Sequence, residues 1–166
     1  ASPQVCSLLV DAGASLTAVN ADGTPPINYL IRVTPFNSEA VALLKRMLAS
    51  GVGLEVRNKY GETPLLVACS RLNDQAVRTL LEHHADVNAV NSFGENALHK
   101  LVRFDTNAVD LLKLMLQTGC DPFQKGQHGT PDEVASATIR NLWDSLLPFS
   151  PIAVRRAAEL ERRERR

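Results

Sequence analysis

Few side chains in this sequence are placed where they could do covalent or metal chemistry. Cys6, Cys69 and Cys120 form no C-x-x-C pair, and no histidine has a thiol or carboxylate at the spacing of a metal ligand set. The sequence contains neither a glycine-rich phosphate loop nor a nucleophile elbow. We therefore expect no catalytic residue, no metal, no cofactor and no small-molecule substrate, and hence a protein that is not an enzyme.

The cysteines are better interpreted as packing residues. Cys69 stands beside Ala68 in a short apolar stretch, and Cys6 occupies the slot that Val77 fills further along the chain, so both are expected to be buried. Cys120 is expected to be partly exposed in a link between helices. An odd number of widely spaced cysteines favours a reducing compartment, so the sequence predicts an intracellular protein, cytoplasmic or nuclear.

The charge balance argues against nucleic acid and membranes as partners. Lys and Arg total 18 and Asp and Glu total 18, so the formal net charge is zero. Residues 155–166 hold six arginines and three glutamates, but the glutamates interrupt each arginine run, which indicates a solvated helix with i,i+4 ion pairs. A charged-then-apolar leader and an apolar run of about 18 residues are both missing from the sequence, so no membrane contact is expected.

The same short pattern returns along the chain. GTPPINYLIR, GETPLLVACS, GENALHKLVR and GTPDEVAS begin at residues 23, 61, 94 and 129. Apolar pairs at 9–10, 47–48, 80–81 and 115–116 recur in steps of 38, 33 and 35 residues. A glycine follows three of these pairs at the same distance, and His84 follows the other. Glycine suits the left-handed residue just past a helix end, so His84 is expected to carry some strain there.

Each repeat contains two predicted helices and a link. The first helix is short and apolar, over residues 64–70 and 97–103. The second, over residues 74–83 and 107–118, places apolar residues at spacings of three and four, as in Val77, Leu80 and Leu81. Turn-rich links such as ADVNAVNSFGE follow, and they suit β-turn or hairpin fingers. One such helix pair cannot bury its apolar faces alone, so stacking of the repeats is expected to create the core.

These features resemble the ankyrin repeat family. Residues 60–92 have its G-x-T-P-L opening, a small residue at Ala68, an LLE helix end and an ADVNA link. The resemblance implies an all-α fold, an ankyrin-repeat solenoid of stacked helix-turn-helix units with β-turn or hairpin fingers, plus a C-terminal helix. It also implies a structural role for His99, whose ring would hydrogen-bond the backbone of the neighbouring finger.

The repeats differ in length and completeness. The array is predicted over residues 1–147 and a C-terminal Arg/Glu-rich helix over 148–166. Within the array we expect a partial repeat at 3–21, full repeats at 22–59, 60–92 and 93–127, and a degenerate capping repeat at 128–147. The chain is thus expected to begin inside a repeat. The first full repeat is extended around VTPFNS, where Pro35 excludes one continuous helix and Ser38 is expected to be the N-cap.

The resemblance also implies where a partner would bind, because ankyrin repeats bind with their finger tips and the exposed ends of their first helices. Aromatic residues and arginine dominate energetic hot spots, and this row is rich in both. It would suit an extended or helical peptide with acidic and apolar residues. The aromatic residues at the finger tips could equally pack on the neighbouring finger. The predicted partner-binding residues are Arg32, Val33, Lys59, Tyr60, Glu62, Ser70, Arg71, Ser92, Phe93, Glu95, Arg103 and Phe104.

The sequence therefore predicts a protein-protein interaction module that binds a segment of a partner protein in a concave groove. Two alternatives remain open. One is the substrate-recognition part of a ubiquitin ligase adaptor, since one ankyrin family carries a C-terminal box helix that LLPFSPIAVRR faintly resembles; the cysteine of that box is missing. The other is an intramolecular scaffold that packs on another domain of a larger protein.

Overall fold

A computed structural model describes residues 18–21, 23–32 and 36–164, with the side chain of Glu164 left out. The predictions made for Cys6, Val33 and almost all of the partial repeat at 3–21 lie outside the described residues. The chain divides into two compact units, Ala1–Asp86 and Val87–Arg166. This division falls within the link ADVNAVNSFGE, and each unit has a buried core of its own.

Four helices are described in the first unit, arranged as two helix pairs. They are α1 (Pro26–Arg32), α2 (Ser38–Ala49), α3 (Pro64–Cys69) and α4 (Asp74–Glu82). Helix α1 packs on α2 and α3, and α4 packs on α2 and α3, so each helix contacts both its own pair and the next one. Leu30, Leu44 and Leu80 lie in the resulting core, each at most 1% exposed.

Polar residues begin these helices by accepting backbone N–H groups that have no helical partner. The Thr63 side chain accepts from Leu66 N at 3.4 Å, and Pro64 follows it as the first helical residue, as predicted. The prediction that Ser38 is the N-cap of α2 was wrong. Asn37 holds that position, because its Oδ1 accepts from Ala40 N at 3.0 Å, and Ser38 is the first residue of the helix.

In the first unit, the second helix of each pair is followed by a residue with left-handed backbone. Gly51 follows α2 with φ of 87°, and His84 follows α4 with φ of 66°. The prediction for His84 is confirmed: a residue with a Cβ occupies a conformation that favours glycine. In the stripe that α4 buries, Val77 and Leu80 are fully buried, whereas Leu81 is only half-buried at the edge of the stripe.

Five helices and two short 3₁₀ turns are described in the second unit. The helices are α5 (Ala97–Leu101), α6 (Val109–Gln117), α7 (Pro131–Val134), α8 (Ala137–Leu146) and α9 (Pro151–Glu164). The turns are Thr106–Ala108 before α6 and Leu147–Phe149 after α8. Helix α5 packs on α6 and α7, α8 packs on α6 and α7, and α9 packs on the second 3₁₀ turn.

The structure corrects the sequence predictions for one helix and one cysteine of this unit. The helix expected over 107–118 is interrupted at its start, since Asp105 makes no side-chain capping bond and the chain enters α6 through the 3₁₀ turn. Cys120 was expected to be partly exposed but is fully buried. The turn after Gly119 directs it inward, and Cys120 N donates to Met115 O at 2.9 Å.

The predicted C-terminal helix is present as α9. The Ser150 side chain accepts from Ala153 N at 3.2 Å, and Ala153 is buried against the preceding turn. Val154 and Leu160, further along α9, are each more than half exposed. No described helix is both long and apolar enough to cross a bilayer.

The all-α prediction is confirmed, because the links consist of turns. Across residues 18–21, 23–32 and 36–164 the β pairing is limited to one isolated bridge between Gly126 and Gly129. The borders assigned to the individual repeats stay predictions.

Candidate partner-binding surface

The predicted binding residues of the first unit are mostly exposed. Glu62 and Ser70 are half-buried, and Val33 lies outside the described residues. The exposed ones are Arg32, Lys59, Tyr60 and Arg71, which we call the first-unit patch.

A buried asparagine shapes the finger that carries Tyr60. Asn58 Oδ1 accepts from Tyr60 N at 2.9 Å and from Glu62 N at 3.0 Å, while Asn58 Nδ2 donates to Glu62 Oε2 at 3.0 Å. The tight turn is completed by Gly61 with φ of 73°. Tyr60 is held at the tip with 49% of its surface exposed, and Lys59 Nζ lies 5.2 Å from the ring centroid.

Arg71 borders an open pocket of about 290 Å³, between the end of α1 and the turn from α3 to α4. Ile31 and Phe36 form its apolar side, and Asn73 Nδ2 donates across it to Ile31 O at 3.4 Å. The turn is tight enough to place Leu72 at φ of 51°. The guanidinium of Arg71 pairs with no carboxylate among the residues that the structure describes.

The second unit builds its finger in the same way. Asn91 Oδ1 accepts from Phe93 N at 2.9 Å and from Glu95 N at 3.0 Å. Phe93 O accepts from Gln127 N at 2.8 Å, so the next finger binds the backbone of Phe93, while 45% of the residue remains exposed. Ser92 and Arg103 are also exposed, and Phe104 is half-buried. We call Phe93, Arg103 and Phe104 the second-unit patch.

Glu95 differs from the other predicted contact residues, because it is only 4% exposed. Its carboxylate accepts from Lys100 Nζ at 2.8 Å, from Arg103 Nη2 at 2.7 Å and from Asn91 Nδ2 at 3.0 Å. The expectation that Glu95 is exposed was wrong, because Lys100 is itself nearly buried and lets the carboxylate leave the solvent as an ion pair. Sequence reasoning missed Lys100, although a charged residue in a position that Val67 fills elsewhere was the available signal.

The pKa of the Glu95 carboxyl reflects these opposing influences. Burial raises the pKa, but the hydrogen bonds from Lys100 and Asn91 and the positive charges of Lys100 and Arg103 outweigh burial and hold it below the ordinary value of 4.5. Glu95 is therefore ionised near neutral pH, and it fixes the position of Arg103, a residue that is half exposed.

His99 lies next to this cluster and joins two repeats. Its Nε2 donates to Gly129 O at 3.0 Å, and its Nδ1 accepts from Asn96 N at 3.2 Å, so the predicted structural role is confirmed. Burial lowers the pKa of the ring below 6.5, which favours the neutral form. Gly126 leaves room for the ring, since a Cβ there would lie 3.2 Å from Nε2.

Asn28 takes the place of His99 in the first unit. Its Nδ2 donates to Glu62 O at 3.2 Å, at the position that corresponds to Gly129. The side chain is fully buried, and its Oδ1 has no hydrogen-bond partner in the described part of the chain. The same inter-repeat bond is thus formed by an amide in one unit and by an imidazole in the other.

Comparison with known proteins decides the family. A sequence profile of ankyrin repeats, in three copies, matches residues 30–125, more than half of the chain. The chain belongs to the ankyrin repeat family. Ankyrin repeats are generally non-catalytic modules that bind other proteins.

Several curated proteins contain a segment similar to this ankyrin repeat chain. The B-cell lymphoma 3 protein homolog of Mus musculus is 34% identical over 95% of this chain and 34% of its own length. An intracellular phospholipase A2 of Caenorhabditis elegans is 28% identical over 69% of the chain and 11% of its own length. The neurogenic locus notch homolog protein 1 of Xenopus tropicalis is 32% identical over 73% of the chain and 5% of its own length. The chain therefore spans about a third or less of these relatives.

Proposed function

We propose that this chain is a protein-interaction module that binds a segment of a partner protein with its finger tips and the ends of its first helices. The observation that carries the proposal is the way the two fingers with Tyr60 and Phe93 are built. A buried asparagine binds two backbone N–H groups and holds an aromatic ring at the tip, where about half of its surface stays exposed.

Exposed aromatic rings held on a rigid turn are suited to binding. The hydrogen bonds to Asn58 and Asn91 already fix the backbone of each turn, so the turn loses little conformational entropy when a partner covers the ring. Tyr, Trp and Arg are the side chains that contribute most at protein interfaces, and each patch pairs an aromatic ring with arginine. The geometry supports a partner segment that places apolar side chains on the rings and acidic side chains near the arginines.

The first prediction concerns these patches. Arg71→Ala or Phe93→Ala should each weaken partner binding by more than about 1 kcal/mol, roughly a fivefold rise in Kd. Both side chains are exposed, so the midpoint of thermal unfolding should stay nearly unchanged. The measurement is quantitative mass spectrometry of proteins retained by each variant, followed by titration of the retained partner.

Two exposed residues away from the patches serve as matched controls. Arg78 lies on α4, half exposed and paired with Asp74, and Phe149 lies in the second 3₁₀ turn with 39% of its surface exposed. Arg78→Ala and Phe149→Ala should retain the partner. Equal losses in patch and control variants would contradict the assignment of the surface.

The same experiment distinguishes the proposed function from the alternative of a ubiquitin ligase adaptor. Val154 and Leu160 on α9 are exposed apolar residues, and their replacement by Asp leaves the patches intact. The adaptor would be favoured if the Val154→Asp and Leu160→Asp variants no longer retained ubiquitin ligase subunits. The patch variants should then still retain those subunits.

A further inference from the structure

The ion cluster around Glu95 contains one carboxylate and two cations. Lys100 Nζ lies 2.8 Å from one carboxylate oxygen, and Arg103 Nη2 lies 2.7 Å from the other. The side chains of Glu95 and Lys100 are 6% and 10% exposed, whereas that of Arg103 is 51% exposed. The cluster of two cations and one carboxylate thus carries a net positive charge, and Arg103 is its member that reaches the surface.

Arg103 is held in place before any partner arrives. A guanidinium has five N–H donors in a planar fork, and Arg103 uses one Nη2 donor for Glu95. It makes no further hydrogen bond to the portion of the chain that the structure describes. A fixed fork with donors to spare matches the two oxygens of a carboxylate, and it loses less conformational entropy on binding than a mobile arginine would.

The ankyrin fold does not require this cluster. At the equivalent positions of the preceding repeat, Val67 stands in place of Lys100 and Ser70 in place of Arg103, and the helix there is equally well formed. Keeping a carboxylate and an ammonium group almost out of water costs desolvation energy, which two apolar side chains would avoid. The cluster therefore calls for an explanation beyond packing, and positioning of Arg103 is one that its geometry supports.

Two aromatic residues, Phe93 and Phe104, flank the cluster in the sequence. Phe104 follows Arg103 and is half-buried, and Asn91 binds both the backbone of Phe93 and the carboxylate of Glu95. We infer that Arg103 is a specificity-determining residue that binds an Asp or Glu carboxylate of the partner segment, next to an apolar side chain that covers Phe93. This inference rests on the proposed function, and it adds which arginine binds the acidic group and how the cluster positions that arginine.

The test is selection from a random-peptide display library on the purified full chain. The intact protein should enrich peptides with an acidic residue near an aromatic or large aliphatic one. Arg103→Gln should lower the enrichment of acidic residues by about fivefold while the apolar preference persists. Arg78→Gln, an exposed arginine paired with Asp74 on α4, should select the same acidic peptides as the intact protein.

A second variant keeps the test decisive if Arg103→Gln does not fold. Arg103→Lys keeps the charge but lacks the planar fork, and it should lower the acidic enrichment by about threefold. An unchanged acidic preference in the Arg103 variants would overturn the inference and leave the proposed function standing. The proposed function itself would be overturned if neither the intact protein nor the Arg78→Gln variant enriched any peptide from the library.

Discussion

At the scale of single residues, Glu95 and His99 are buried groups of the second unit, and both stabilise the fold less as pH falls. Because the folded-state pKa of Glu95 is lowered, its contribution to stability is present above about pH 4.5 and is lost as pH falls through the lowered value. The neutral ring of His99 is favoured in the fold, so its contribution is complete above its unfolded-state pKa and declines as pH falls from 6.5 toward the lowered folded value.

His99 supports a prediction about pH. His99→Asn keeps an amide donor for Gly129 O, as Asn28 does in the first unit, but it has no proton to gain. Between about pH 7.5 and 5.5 the unfolding midpoint of the intact protein should fall more than that of the variant. Thermal unfolding followed by circular dichroism at several pH values measures this, and parallel curves would show that the ring does not couple pH to stability.

At the scale of elements, helix boundaries could be predicted well because their signals are local. A Thr-Pro step begins α3 and α7, and a left-handed residue follows α2, α4 and α6. Ser38 shows where local signals are ambiguous, since two neighbouring residues, Asn37 and Ser38, are both good caps. The choice depends on backbone conformation, since Asn37 is extended and Ser38 is already helical, and sequence periodicity does not encode this difference.

His84 provides a prediction at this scale. His84→Gly should stabilise the protein by about 0.5–1 kcal/mol, because glycine adopts φ near 66° without strain, less the entropy that glycine loses on folding. Gly119→Ala is the reverse experiment, and no atom lies within 4 Å of its added Cβ, so it should destabilise through the backbone alone. Urea denaturation measures both changes, and a destabilised His84→Gly would contradict the strain argument.

At the scale of the whole molecule, the chain consists of two compact units, each with a core of its own. In repeat proteins stability is roughly the sum of repeat stabilities and of nearest-neighbour interfaces, so a local defect need not act equally everywhere. The single tryptophan, Trp143, is 6% exposed in the second unit and reports on unfolding there.

A cavity in the first unit tests how unfolding is distributed. Leu80 is fully buried in α4, and Leu80→Ala should cost about 2–5 kcal/mol. We expect the measured loss of stability to be larger by circular dichroism, which follows all helices, than by the fluorescence of Trp143, which follows the second unit. Leu81→Ala, at a half-buried position, is the matched control and should cost less. Coincident transitions by the two probes would show that the chain unfolds as one cooperative unit.

The sequence alone determined the repeat, the all-α class, the residues at the finger tips and the inter-repeat role of His99, since each depends on spacing within about one repeat length. Only the tertiary structure decided that Cys120 and Glu95 are buried and that Lys100 and Arg103 share one carboxylate. The physical reason is that burial of a charge depends on the counterions that the fold brings to it, and on the exact direction in which each turn leaves its helix.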